Sequence, residues 1–130
     1  MSHIHAVVWL DHRAATIIDY ALDDRHVVHV HHDGGHRQVH HRAGVVGSGH
    51  SNDDRRYFDA IVAALGDSRE ILVTGPGTAK VAFRDHVGSH HPGVAGRIVG
   101  VETLDHPSEG ELLAWARKYF ERVDRMLGDR

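Results

Sequence analysis

Apolar residues in the first third of the chain come in three short blocks separated by polar turns. The blocks run from Ile4 to Leu10, from Ala14 to Tyr20 and from His26 to His32. The third block alternates in part, with Val28 and Val30 on one face and Val27, His29 and His31 on the other, which is typical of a half-exposed strand. The short connections predict an antiparallel meander of three strands.

The last 80 residues instead alternate between helical spacing and short apolar runs. The first predicted helix begins at Asn52 or Asp53 and ends at Gly66, and a buried strand follows from Glu70 to Thr74. Gly75-Pro76-Gly77 then turns the chain into a second helix, and the last strand runs from Arg97 to Glu102. A Ser108/Glu111 capping box opens the third helix. The order βββ-α-β-α-β-α predicts right-handed crossovers and a mixed five-stranded sheet. The predicted fold class is α/β, a ribonuclease H-like three-layer sandwich.

Residues 33–51 break both patterns, with five glycines, four histidines and two arginines. A connection of this length usually serves a function or is mobile. Its glycines allow a ligand to approach the backbone, and His50 is a candidate phosphate donor or general base. The candidate anion-binding residues of this loop are Arg42, Gly44, Gly47, Ser48, Gly49 and His50. A surface loop that binds nothing is the alternative.

The turn after the fourth strand is a second candidate anion site. Gly75, Gly77, Thr78 and Lys80 surround the start of a helix, whose free backbone N–H groups favour an anion. The turn is not a Walker A loop, because the G-x-x-x-x-G-K-[ST] spacing is absent. The alternative is a tight connection in which glycine is needed only for space.

Composition narrows the class of protein. The chain has 130 residues, 41% of them hydrophobic and 25% charged, which predicts one domain over residues 1–130. The absence of cysteine excludes disulfides, thiolate zinc sites and cysteine nucleophiles. No apolar run approaches the ~18 residues of a membrane span, and no signal-peptide pattern opens the chain, so we expect a cytoplasmic protein with no membrane partner.

The 15 histidines make the charge depend on pH, since the formal net charge of −3 counts them as neutral. Candidate metal-ligand pairs are His29/His31 on one strand face, His40/His41 in the loop and His86/His90 at helical spacing. None of them is a specific signature, so we predict no metal or other cofactor. Eight histidines fall between His26 and His41 or at His50, which predicts a polar surface that gains positive charge as the pH falls.

Carboxylates give little support to a metal-dependent nuclease. Asp11, Asp19, Glu102 and Asp105 lie in or near predicted strands. Such enzymes bind two metal ions through several carboxylates. The fourth strand ends in Thr74-Gly75, without a carboxylate where a nuclease of this fold usually has one.

These motifs together resemble the middle domain of archaeal and eukaryotic class I release factors and of Pelota. The resemblance rests on the element order, on Val73-Thr74-Gly75-Pro76-Gly77 with Lys80 and Phe83, and on the glycine-rich loop before the first helix. Short bacterial translational machinery proteins resemble the chain more closely, through Val8 to Arg13, Ala43-Gly44, Gly47-Ser48-Gly49 and Gly100 to Pro107.

The resemblance implies contact with ribosomal RNA or a tRNA acceptor end. Release factors carry Gly-Gly-Gln in the corresponding loop, but here the only glutamine, Gln38, follows Arg37. We therefore expect a ribosome- or tRNA-associated protein that is not an enzyme and does not bind DNA, with a weak homodimer as one possible state. The alternatives are a peptidyl-tRNA hydrolase that uses His50 as its base, and a histidine-rich metal-binding stress protein.

Overall fold

A computed structural model describes residues 4–32 and 52–126 of the chain. The elements are β1 (His5–Leu10), β2 (Ala14–Tyr20), β3 (Arg25–His31), α1 (Asn52–Leu65), β4 (Glu70–Gly75), α2 (Ala79–His90), α3 (Pro92–Ala95), β5 (Ile98–Thr103) and α4 (Glu109–Met126). The predicted order of strands and helices is confirmed. The short helix α3 is an addition to it.

The five strands form one mixed sheet in the order β3-β2-β1-β4-β5. β1 and β3 both pair with β2 in the antiparallel sense, which is the predicted meander. β1 also pairs in parallel with β4, and β4 with β5, because each of these connections passes through a helix on the way back. The carboxyl ends of β1, β4 and β5 consequently lie at one edge of the sheet.

The two faces of the sheet carry separate cores, which makes the fold a three-layer sandwich as predicted. On one face, Val8, Ile17 and Val73 pack with Ile61 of α1 and Phe83 of α2. On the other face, α4 supplies apolar residues at helical spacing. These residues are Leu112, Leu113, Ala116 and Phe120, which pack on Val7, Ile18 and Leu72. α1 and α2 are therefore neighbours on one side of the sheet, and α4 lies alone on the other.

The region after α2 differs from the prediction in one detail. Helix α2 continues through Gly88 to His90, although glycine is a poor helix former. His91 then ends it, and Pro92 at the first turn opens α3. A helix of four residues has too few apolar positions to show a period, which is why the sequence pattern does not reveal it.

No helix within residues 4–32 and 52–126 combines the length and apolar character needed to cross a lipid bilayer. The predicted loop over residues 33–51 lies outside the described residues. Its described neighbours, His32 and Asn52, lie beside the carboxyl edge of the sheet.

Candidate functional site

A cleft of about 440 Å³ opens at the carboxyl edge of the sheet, beside the ends of β1 and β4 and the first turns of α1 and α2. Its lining residues are His12, His32, Asp54, Tyr57, Phe58, Thr78, Val81, Ala82 and Asp85. Ligands of open α/β sheets commonly bind outside the carboxyl ends of the strands. The cleft is therefore the candidate functional site.

β4 and β1 pack closely at the carboxyl edge of the sheet, beside the cleft. Gly75, the last residue of β4, is buried, and a β-carbon there would overlap the carbonyl oxygen of Leu10. Tyr57 adds a bond from α1, because its hydroxyl donates to the carbonyl oxygen of Asp11 at 2.9 Å. Burial, and then the charge of Asp11, raise the pKa of Tyr57, so the phenol stays protonated. Glycine is therefore needed at position 75 for space, which is the alternative that the sequence offered for this turn.

One wall of the cleft joins the end of β3 to the start of α1. Nε2 of His32 lies 2.6 Å from Oδ1 of Asp54, and the His32 ring packs on Tyr57 with centroids 5.0 Å apart. The backbone N–H of His32 donates to the carbonyl oxygen of Arg13. Nδ1 of His32 is buried and has no hydrogen-bond partner among the described residues. The residues that precede and follow 33–51 are thereby held close together.

The opposite wall is the start of α2, where four predicted site residues lie. The N-cap residue Thr78 makes no side-chain capping bond, and no acidic residue lies in the first turn of α2. Oγ1 of Thr78 lies 3.3 Å from Nε2 of His12. Gly77 is exposed, with open space where a side chain would be. The mostly buried Lys80 turns back and donates from Nζ to the carbonyl oxygen of Gly77.

The other predicted anion-binding residues lie outside the described part of the chain. They are Arg42, Gly44, Gly47, Ser48, Gly49 and His50. The predictions for these residues, including His50 as a general base, stay predictions.

Four of the histidines considered as metal ligands lie in different places, and His40 and His41 lie outside the described residues. His29 and His31 are exposed on β3, and Nε2 of His29 lies 2.8 Å from Oε2 of Glu109 on α4. His86 and His90 are neighbours on α2, with ring centroids 4.7 Å apart. The fold brings His86 to Asp59 and His91, which the sequence did not single out.

The sequence reasoning missed two groups of functional candidates for different reasons. His12 and His32 enter the cleft through strand pairing, although the polar turn after the first apolar run was a usable signal for His12. Asp59 and His91 are joined to His86 only by packing of α1 against α2. No spacing along the chain gives that contact.

No protein-family model matches the chain, and no curated protein sequence matches it. Several solved structures share its fold. Thermoplasma acidophilum Pelota superposes with a TM-score of 0.63 at 21% identity, over 87% of this chain and 31% of that one. Archaeoglobus fulgidus Pelota gives a TM-score of 0.61 at 15% identity, over 95% and 38% of the two chains. The archaeal translation termination factor aRF1 gives 0.54 at 13% identity, over 94% and 38%.

The fold is therefore one found within translation factors of the Pelota and release-factor type, as the sequence resemblance predicted. The chain spans about a third of the length of these structures. At such low identity the likeness establishes the fold.

Proposed function

We propose that this chain is a ribosome- or tRNA-associated RNA-binding protein that uses the carboxyl-edge cleft to bind RNA phosphates. The likeness of its fold to Pelota and to a translation termination factor is the observation that supports this proposal most. We further propose that residues 1–130 act as one domain, that the protein works in the cytoplasm, and that it lacks release catalysis.

The distribution of charge around the cleft supports a phosphate ligand at α2 rather than at α1. The first turn of α1 contains Asp53 and Asp54, which already satisfy the positive end of that helix. The first turn of α2 contains no acidic residue, and the Thr78 side chain caps none of its N–H groups, while the Val81 N–H donates to the Thr78 carbonyl oxygen. Uncapped N–H groups at a helix start are favourable partners for phosphate oxygens.

A histidine and an arginine lie beside α2. The arginine is always positively charged, whereas the histidine is charged only when it is protonated. His12 lines the cleft, and Arg13 follows it in the exposed turn between β1 and β2. Each of the two carboxylates in the cleft already has a basic side chain beside it. Asp54 lies against His32, and Oδ1 of Asp85 lies 3.4 Å from the guanidinium of Arg84. We infer that an entering phosphate meets N–H donors and cations more than free acids.

Co-sedimentation with ribosomes through a sucrose gradient, at low and high salt, tests the proposal. We expect binding at low salt that weakens as salt rises, because phosphate contacts release counterions. Arg13→Ala should weaken binding and lower the salt slope by about 1, as for one lost phosphate contact. Arg125→Ala, on exposed α4 at the other face of the sheet, is the matched control and should leave binding unchanged.

Two results would contradict the proposal. One is absence of the protein from every ribosomal fraction at low salt together with no binding to deacylated tRNA. The other is an equal loss of binding in Arg13→Ala and Arg125→Ala, because this would place the RNA contact away from the cleft.

The proposed lack of catalysis has a separate test. Release of labelled peptide from peptidyl-tRNA should stay at the level without protein. Release that is present in the unaltered protein and lost in His50→Ala would support the hydrolase alternative.

A further inference from the structure

A cluster of three metal-ligating side chains lies between α1 and α2, and none of the three lines the cleft. Nε2 of His86 and Nε2 of His91 lie 2.7 Å and 2.8 Å from the same oxygen, Oδ1 of Asp59. These three atoms all lie within 4.8 Å of one another. Two imidazoles and a carboxylate thus face one point in space.

The fold holds these ligands in place before any ion arrives. The side chain of His86 is only 2% exposed and packs against Phe58, with ring centroids 5.3 Å apart. His91 sits at the junction of α2 and α3, where its backbone N–H donates to the carbonyl oxygen of Val87. Asp59 comes from α1 and is half exposed, so the cluster is open to solvent on one side. An ion therefore has both a prepared set of ligands and an entry path.

The balance of charge in the cluster favours a divalent cation. The Asp59 carboxylate accepts from both Nε2 of His86 and Nε2 of His91 through one oxygen atom, so a single negative charge lies at the centre of the cluster. A third imidazole, that of His90, lies against His86 with ring centroids 4.7 Å apart. Imidazole nitrogen and carboxylate oxygen are both ligands of divalent transition-metal ions.

We propose that Asp59, His86 and His91 form a binding site for a divalent transition-metal ion, with Zn²⁺ as the expected occupant. Imidazole nitrogen and carboxylate oxygen are ligands that Zn²⁺ accepts, whereas Mg²⁺ and Ca²⁺ prefer oxygen alone. In a tetrahedral site with bonds of about 2.0–2.1 Å, neighbouring ligand atoms lie about 3.3 Å apart. Small side-chain movements bring the observed distances to that value, and water takes the fourth position.

The metal would connect three parts of one face of the sandwich: the middle of α1, the last turns of α2 and the start of α3. A second group of ligating residues, His5, Glu70 and Asp124, lies at the amino end of the sheet. It offers one imidazole and two carboxylates, and its longest ion-pair distance is 3.7 Å, between His5 and Asp124. That group is a matched comparison for the proposed site.

Zinc binding to protein made without a polyhistidine tag tests the site. We expect one Zn²⁺ per chain by isothermal titration calorimetry in the presence of a weak competing chelator. Asp59→Asn and His91→Ala each remove one ligand at a partly exposed position, so the fold is expected to survive. Each should weaken binding by at least about 10–100-fold, since loss of even a supporting partner of a ligand has that effect.

Two control variants separate this site from the many other histidines. Asp124→Asn alters the second group, and His31→Ala removes an exposed histidine of β3. Both should bind Zn²⁺ as the unaltered protein does. Unchanged affinity in Asp59→Asn and His91→Ala, or an equal loss in either control, would overturn the assignment. Circular dichroism of each variant establishes that it is folded.

Cobalt supplies a readout that does not depend on affinity. Co²⁺ in a four-coordinate site absorbs visible light much more strongly than Co²⁺ bound by water and surface groups. We expect an intense spectrum with the unaltered protein that changes in His91→Ala and not in His31→Ala. A weak spectrum typical of six-coordinate Co²⁺ would contradict the proposed site.

Discussion

The cleft and the Asp59 cluster are two histidine-containing regions formed by the same pair of helices. Both lie between α1 and α2, and Phe58 contacts both of them. In the cleft, His32 lies against one carboxylate, and the uncapped start of α2 faces the open space. In the cluster, two imidazoles lie against one carboxylate, and a third imidazole is beside them.

The two proposals together imply that the number of histidines does not by itself determine which ligand a surface binds. In the proposed phosphate site, an imidazole would act with N–H donors of a helix start toward an anion. In the proposed metal site, the imidazoles that converge on one carboxylate would bind a cation together with it, once the metal displaces the Nε2 protons that Asp59 now accepts. The geometry of α1 against α2 produces both arrangements within one face of the sandwich.

The largest expected effect in this comparison comes from the close packing of β4 against β1 beside the cleft. Gly75→Ala should destabilise the protein by about 1–3 kcal/mol. The new β-carbon meets backbone atoms of Leu10, which cannot move aside as the end of a flexible side chain could. Urea denaturation measures the change. Zinc affinity under native conditions should stay as it is, since the Asp59 cluster does not include β4.

Gly77→Ala is the matched control in the same turn. Nothing lies within 4 Å of the added carbon, and Gly66 is the only described residue with a positive φ, so stability should change by less than about 0.5 kcal/mol. A destabilisation as large as that of Gly75→Ala would show that the two glycines do not differ as the packing indicates.

A smaller effect is expected for the pair that joins β3 to α1. A double-mutant cycle of His32→Ala and Asp54→Ala should give a coupling energy of about 0.2–1 kcal/mol, because Asp54 is partly exposed and solvent screens the interaction. The measurement is the urea midpoint of the four proteins. Strict additivity would mean that the 2.6 Å contact contributes nothing to holding the two elements together.

The smallest effect concerns acid stability of the cluster, measured with a chelator present. The hydrogen bonds from His91 and then His86 lower the pKa of Asp59, so the folded protein holds this proton less tightly than the unfolded chain. The resulting stabilisation is present above about pH 4 and is lost as the pH falls through the lowered pKa. The gap in urea midpoint between the unaltered protein and Asp59→Asn should therefore shrink from pH 5 to pH 2.5.

Asp23→Asn, in the exposed turn before β3, provides the comparison for this acid series. The difference in urea midpoint between Asp23→Asn and the unaltered protein should stay the same from pH 5 to pH 2.5. A gap for Asp59→Asn that stays constant down to pH 2.5 would argue against the two hydrogen bonds as the cause.

Local patterns along the chain were sufficient to predict the fold, because its elements are long and well punctuated. Alternation in β3, the glycine after α1 and the Ser108/Glu111 capping box each mark an element that the structure contains. The capping box is formed in both directions, with Ser108 N–H donating to Glu111 and Glu111 N–H donating to Ser108. Helix α3 was not predicted, because a single helical turn is too short to show a hydrophobic period.

The candidate site was predicted only where it coincides with a local motif. The turn from Gly75 to Thr78 is visible in the sequence because glycine and proline punctuate it. The approach of His12 to Thr78 depends on parallel pairing of β1 with β4, across 66 positions of the chain. The approach of Asp59 to His91 depends on helix packing across 32 positions. Such distant contacts leave no trace in spacing.

Strand β3 has a consequence for how the protein behaves in concentrated solution. Within the described residues it pairs with β2 alone, so one border of the sheet can accept a strand from another molecule. Proteins often protect such borders with charged side chains, but here most of the exposed positions are histidines: His26, His29 and His31, with Arg25 at the start. How well these histidines protect the border therefore depends on the pH of the solution, because an imidazole is charged only when it is protonated.

The same groups set the overall electrostatic repulsion between molecules. The formal charge of −3 with neutral histidines reaches zero once three of the 15 are protonated. Mutual repulsion is weakest at that point, and self-association is favoured. Acidification beyond it charges both the molecule and the border of β3, so solubility should pass through a minimum and then recover.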